Sequence, residues 1–366
     1  MMNETGPLGH TYPRGFASDN YSGAHPEVLE ALAGASRGHA SSYGYDPFTQ
    51  ALTQRLRDEL GAETGVFPVF NGTAANVLGL QTLIRSYQAV LCPSSAHLNE
   101  DECGAPERWL GIKLWDVPTE DGKLRPADIE ACLHGRGDEH RVQVAAVSIT
   151  QPTEWGTLYS VAEIQALSAC CRKHGLWLHM DGARISNAVA ALGRPLREIT
   201  VDAGVDVMSF GGTKNGLVFG ELVLTFRPEL AKEMLYFRKQ MGQLHSKMRF
   251  ISAQFLAFFE GDLWLKSAGH ANAMAAALSA GSAGLKGVEL AYPTQVNGVF
   301  ACIPKDWIAP LQAHKPFYIF DPGRNMARWM CSFDTEMGEV EEFLEALRGM
   351  GSVSYTHLTL PTNREV

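Results

Sequence analysis

Between Thr64 and Phe226 the chain alternates short apolar runs with longer helix-like stretches, and that alternation limits the fold more than any other feature. Thr64 to Phe70 (TGVFPVF) reads as a short buried strand. After Asn71-Gly72-Thr73 an apolar helix places Leu80, Leu83, Ile84 and Tyr87 at i, i+3, i+4 and i+7. Val142 to Thr150 (VQVAAVSIT) is a strand, and the helix after it opens at Ser160, where Glu163 completes a capping-box pattern. Gly175 ends that helix. Leu176 to Asp181 (LWLHMD), Val205 to Phe210 (VDVMSF) and Gly220 to Phe226 (GELVLTF) are three further strands. Strands separated by helices of this length predict a largely parallel sheet covered on both faces.

From Pro228 to about Gly284 the pattern is mostly helical, with an Ala-rich stretch over Ala271 to Ala283. Val299 to Ile303 and Arg328 to Ser332 are strand-like, and Glu339 to Leu347 is a final helix. The expected organisation is an N-terminal arm over residues 1–20, a large domain over 21–260 and a small C-terminal α+β domain over 261–350. Residues 351–366 (GSVSYTHLTLPTNREV) continue no periodic pattern. The stretch SYTHLTLPT resembles the translation of a transposon-type sequencing adapter, so a non-native tail is expected there.

A chain of 366 residues, 45% hydrophobic and 19% charged, has the composition of a globular protein and the length to bury a core without disulfides or a structural metal. Its net charge of −9 argues against nucleic acid or an anionic membrane surface as partner. No apolar run reaches the roughly 18 residues of a membrane span, and MMNETGPLGHTYPRG lacks the apolar centre of a secretory signal. The 7 cysteines form no CxxC pair and the 12 histidines no HExxH spacing, so neither a disulfide framework nor a metal is expected. This usage points to a reduced, cytoplasmic compartment.

Four features carry chemistry. Asp181 stands at the carboxyl end of a strand, where open α/β sheets bind ligands. There it pairs with a ring nitrogen and keeps it protonated, or it caps the next helix; the residue alone does not decide. Lys214, in SFGGTKNG, follows the next strand at the same edge. Crowding in a Gly-rich loop strips water from a lysine and makes it a Schiff-base nucleophile, although a lone loop lysine is usually just solvated. Asn71-Gly72-Thr73 opens a helix, where free N–H groups and the helix dipole form an anion cup, or where Asn71 simply caps. Arg184 and Arg328 offer planar forks matched to a carboxylate. An anion cup, a ring-nitrogen aspartate, a Schiff-base lysine and a carboxylate-holding arginine together describe a pyridoxal-phosphate enzyme acting on an amino acid.

Seven motifs then identify a resemblance: FASDNYSGAHPEVLEAL from Phe16, FNGTAAN from Phe70, AHLNEDECGAPE from Ala96, HMDGARISNA from His179, SFGGTKNG from Ser209, QLHSKMRF from Gln243 and ARWMCSFD from Ala327. From about Phe16 to Gly349 the chain resembles the low-specificity L-threonine aldolases of PLP fold type I, in the β-eliminating lyase group, close to the bacterial branch that includes phenylserine aldolases. The resemblance implies an α/β large domain with a mostly parallel mixed sheet and a smaller C-terminal α+β domain. It implies that Lys214 holds pyridoxal 5'-phosphate, Asp181 pairs with the pyridine nitrogen, and Gly72 and Thr73 hold the phosphate. Ser18, Arg184 and Arg328 would bind the substrate carboxylate, with Arg184 also near the ring hydroxyl. His97 would lie over the ring and serve the β-hydroxyl. Asp101, four residues on and so on the same face of a helix, would lie near the substrate side chain. Tyr43, with Lys247 or Arg249, would come from a neighbouring subunit of a dimer or tetramer.

The implied reaction is retro-aldol cleavage of L-threonine, L-allo-threonine or a related β-hydroxy-α-amino acid to glycine and an aldehyde, with His97 as the base. L-phenylserine as substrate, transamination or β-elimination on the same cofactor, and a catalytically silent PLP-binding scaffold are the competing readings. The presence of both Asp181 and Lys214 speaks against the scaffold.

Overall fold

The computed structural model describes residues 13–353. The first twelve residues of the expected arm, and the expected tail from residue 354 onward, lie outside the described residues. The chain forms two compact units, one of residues 22–269 and one of the flanking segments up to 21 and from 270.

The larger unit is built on seven strands: β1 (Gly65–Val69), β2 (Gln88–Pro93), β3 (Lys113–Val117), β4 (Gln143–Thr150), β5 (Trp177–Gly182), β6 (Val207–Gly211) and β7 (Glu221–Thr225). Their order across the sheet is β1-β7-β6-β5-β4-β2-β3. β2 through β6 pair in parallel, whereas β7 runs antiparallel to both β6 and β1. The sheet is therefore mixed, with one reversed strand. β1, β6 and β7 are buried along their whole length, as continuous apolar runs covered on both faces must be. Val69, Val90, Ala146, Val207 and Val223 share one core with Leu78 and Leu80 of the helix Gly72–Gln81. The helix Val161–Lys173 opens on the expected capping box: Ser160 Oγ accepts from Glu163 N at 3.2 Å, and Glu163 Oε2 accepts from Ser160 N at 2.8 Å. Gly175 follows it at φ 61°, a left-handed conformation that a side chain would resist.

β2 and β3 were not legible in the pattern. β3 (KLWDV) is the edge strand and is only partly buried, so its apolar signal is weak.

The smaller unit has an antiparallel sheet of order β10-β11-β9-β8, with β8 at Glu289–Leu290, β9 at Gly298–Cys302, β10 at Tyr318–Asp321 and β11 at Met326–Met330. Phe16 is buried in its core with Val299, Phe317, Trp329 and Phe343. Its backbone accepts from Met330 N and donates to Pro316 O, both at 2.8 Å. A Cβ on neighbouring Gly15 would lie 2.5 Å from Pro316, so only glycine fits there. The final helix spans Met337–Val353, longer than the expected Glu339–Leu347 and continuing past the expected boundary at Gly351.

Candidate active site

Because β1, β2, β4, β5 and β6 point the same way, the loops that follow them emerge at one edge of the sheet. They carry Asn71–Thr73, His97–Glu102, Glu154, Arg184 and Lys214 respectively. Reversed β7 brings its first residue, Glu221, to that same edge, opposite Gly211.

Asp181 lies in β5 in register with Thr150 and Ser209, and is 3% exposed. Its Oδ1 accepts from Ala183 N at 2.9 Å and Ser209 Oγ at 3.3 Å, and its Oδ2 from Asn76 Nδ2 at 2.8 Å. Burial alone would raise this carboxyl. His97, the Ala183 N–H, Lys214 and Asn76 together outweigh burial and hold it below its usual range. The alternative capping role is not what the structure shows: the helix Ile185–Leu192 has Arg184 at its N-cap, and Asp181 instead closes a turn on Ala183. Arg184 is half-buried at that cap.

Asn71 caps the helix Gly72–Gln81 by accepting from Ala74 N at 2.9 Å. The cap leaves the N–H groups of Gly72 and Thr73 to another acceptor, and a Cβ on Gly72 would meet nothing within 4 Å. One turn inward, Asn76 is 2% exposed and donates to both Asp181 and Glu102 Oε1, the latter at 3.1 Å.

His97 begins a four-residue helix, His97–Glu100. Its Nδ1 lies 2.9 Å from Glu102 Oε1, and its backbone N donates to Glu154 Oε1 at 2.9 Å. The Glu102 hydrogen bond raises the imidazole above its ordinary range against the opposing pull of burial; Asp181 adds to the rise and Lys214 reduces it. Asp101 ends the helix at its C-cap and is exposed; the carboxylate joined to His97 belongs to the next residue, buried Glu102. The expectation of a helical face shared by His97 and Asp101 needed a helix longer than this one.

Lys214 occupies the 3-10 turn Thr213–Asn215 after β6, within electrostatic reach of His97, Asp181 and Glu221. A Cβ on Gly211 would lie 2.1 Å from Ala183 O, so the close approach of these two loops requires glycine.

Glu102, Asn76, Glu154, Glu221 and His179 escaped the sequence reading. His179 shares the Asp181 face of β5; Ser148 Oγ holds its Nδ1 at 2.9 Å, and burial pushes it down to about 4.

Tyr43, Lys247 and Arg249 lie on the surface of the larger unit. Tyr43 donates its backbone N–H to Ser246 O at 3.0 Å, so its loop adjoins the one carrying Lys247. Lys239 stands 5.3 Å from its ring centre. Arg249 opens the helix Arg249–Phe259 and donates to Gly38 O at 3.4 Å. Ser18 and Arg328 belong to the smaller unit. Ser18 Oγ accepts from Asn20 N at 3.2 Å, and Arg328 donates to Ala17 O at 3.3 Å with its guanidinium 5.7 and 5.3 Å from the rings of Tyr318 and Phe320.

A buried anion, a lysine and an open helix N-terminus around one histidine suit a flat cationic heterocycle bearing a phosphate. Asp181 has partners for both oxygens yet keeps acceptor capacity for a ring N–H.

The family described as beta-eliminating lyase matches residues 15–305. The low specificity L-threonine aldolase of Pseudomonas aeruginosa is 46% identical over 335 residues, 91% of this chain and 96% of that protein. The solved structure of Leishmania major threonine aldolase superposes with a TM-score of 0.88 at 31% identity, covering 93% of this chain and all 100% of that one. Oryza sativa TDC with PLP and tryptamine, 14% identical, has a TM-score of 0.75 over 93% of this chain and 84% of its own, a likeness of fold alone.

Proposed function

The chain belongs to the beta-eliminating lyase family, and from its place among the low-specificity L-threonine aldolases we infer that it cleaves the Cα–Cβ bond of L-threonine and related β-hydroxy-α-amino acids, giving glycine and an aldehyde. Pyridoxal 5'-phosphate, when bound, supplies the sink for the electron pair left on Cα. The observation that carries the reading is the buried Asp181 carboxylate, held below its usual range at the sheet edge that also bears Lys214 and His97.

Each residue has a proposed task. Lys214 would hold the cofactor through its side-chain amine. Asp181 keeps a proton on the pyridine nitrogen. Gly72 and Thr73 hold the phosphate with their N–H groups. Arg184 would bind the substrate carboxylate; the same task for Ser18 and Arg328 rests on the resemblance alone. His97 would lie beside the cofactor and take the β-hydroxyl proton on Nε2, while Glu102 fixes its Nδ1. Asp101, exposed at its helix end, is assigned to the β-substituent. Tyr43, Lys247 and Arg249 are assigned to the site of a neighbouring copy, in a dimer or a tetramer.

No helix among the described residues is long and apolar enough to cross a membrane. All seven cysteines are unbridged, which suits the cytoplasm.

Aldehyde release from L-threonine, L-allo-threonine and L-phenylserine without any keto acid tests the reaction. Turnover that requires pyruvate or 2-oxoglutarate would establish a transaminase instead. Borohydride should fix the cofactor to wild-type protein and not to Lys214→Ala.

A further inference from the structure

A lysine that attaches a cofactor, leaves it and returns needs a mobile side chain on an immobile backbone. Resting on the assignment of Lys214 above, we propose that Glu221 is the positioning residue for this lysine: its carboxyl group grips the backbone just before Lys214 and, held in place there, is an acidic partner against which the lysine nitrogen works.

Glu221 opens β7 between Gly211 of β6 and Val69 of β1, so strands on both sides hold its backbone. It is 7% exposed, in a strand (ELVLT) that is otherwise suited to an apolar core. Burying a carboxyl there is costly unless it is hydrogen-bonded. Its Oε2 accepts from Gly212 N at 2.7 Å, a short, charge-assisted bond. Thr213 beside it donates its hydroxyl to Gly220 O at 3.5 Å and adds to what favours the ionised carboxyl. Burial dominates and raises the group to about 7, with these donors and the positive charge of Lys214 limiting the rise, so the carboxylate is ionised above that value.

The far side of the turn is held as firmly. Asn215 donates from Nδ2 to Trp264 O at 2.9 Å, and its carbonyl lies 3.0 Å from His25 Nε2. His25 N donates to Gly216 O at 3.0 Å. On the near side, a Cβ on Gly212 would lie 2.6 Å from Leu217 Cδ2, so the chain packs closely there too. The residues on either side of Lys214 are therefore fixed, and its side chain is the part left to change partner. Among the described residues, Asp181 from β5, His97 from the loop after β2 and Glu221 from β7 each interact electrostatically with it. Of these three, Glu221 also holds the backbone that leads into the turn, at Gly212.

The test uses the holoenzyme and follows the cofactor's visible absorption as a function of pH. Removing a negative charge disfavours the protonated nitrogen. Glu221→Gln, which keeps an oxygen acceptor for Gly212, should therefore lower the titration midpoint by about half a unit or more. Its kcat should fall about tenfold, with KM within about twofold of wild type. Glu221→Asp, with the charge restored on a shorter arm, should bring the midpoint back toward wild type, and it decides the matter should the glutamine variant not fold. A Glu221→Gln enzyme with wild-type midpoint and wild-type kcat would overturn the proposal, as would a Glu221→Asp enzyme whose midpoint stays shifted. Lys214→Ala separates the two layers: a borohydride-stable linkage surviving in that variant removes the lysine assignment itself.

Discussion

Glu102 Oε1 and His97 Nδ1 stand 2.9 Å apart, with the glutamate side chain wholly buried and the imidazole about a third exposed. The carboxylate fixes the ring and raises its proton affinity, leaving Nε2 as the nitrogen available for chemistry. For His97 to act as a base it must be neutral, so activity should rise with pH through its raised pKa. Glu102→Gln should cut kcat by about a hundredfold and move the acid limb of the pH–rate profile to lower pH. A profile left in place would show that the pair does not govern the base.

Asn76 serves two carboxylates at once. Asn76→Ala strips a donor from buried Asp181 and Glu102 together and should cost about 2–3 kcal/mol in denaturant unfolding. Binding of pyridoxal phosphate should weaken in parallel, measured by equilibrium dialysis.

Glu154 gives a pH signature of opposite sign to that of an ordinary salt-bridged acid. Burial raises its carboxyl from 4.5 to about 7, with the His97 N–H and Thr150 Oγ1 working against the rise and Asp181 adding to it. Between those two values the folded chain holds a proton that the unfolded chain has lost. Its contribution to stability therefore falls as pH rises through that window. Glu154→Gln should flatten the decline, gaining on wild type in urea midpoint at pH 8 relative to pH 5.

Ser160 tests a purely local element. Ser160→Ala removes the acceptor for Glu163 N and should cost about 1 kcal/mol, read as a lower denaturation midpoint, with activity unchanged.

Substrate scope should be strict at Cα and lax at Cβ. One imidazole reaching the β-hydroxyl leaves no buried partner unpaired by the other epimer. L-threonine and L-allo-threonine should then differ in kcat/KM by less than about a hundredfold, about 3 kcal/mol. D-threonine should not react, and His97→Ala should depress turnover of both L epimers.

Much of this was legible in the chain. β4 to β7 announce themselves as apolar runs between turns, and Asp181 and Lys214 stand out because each follows such a run. Glu102 was not legible, since i+4 spacing favours Asp101 and only the actual end of the helix at Glu100 hands the role to the next residue. Asn76 had a readable signal, a lone amide inside the apolar stretch Ala75–Leu80, which is costly unless it has partners to satisfy. Glu221 carried the same kind of signal within ELVLT. Tyr43, Lys247 and Arg249 gave none, for surface residues carry no burial pattern.

The reversal of β7 has a consequence for assembly. A parallel partner for β6 would need a crossover of about a dozen residues or more, as a rule with a helix. An antiparallel one is reached directly through residues 212–220. Closing so short a loop loses little chain entropy, and the resulting contacts are local in sequence. The lysine turn and the glutamate that holds its entry are thus brought together by one hairpin-like closure. The aspartate, asparagine and histidine around them depend on strands and helices drawn from across the whole larger unit.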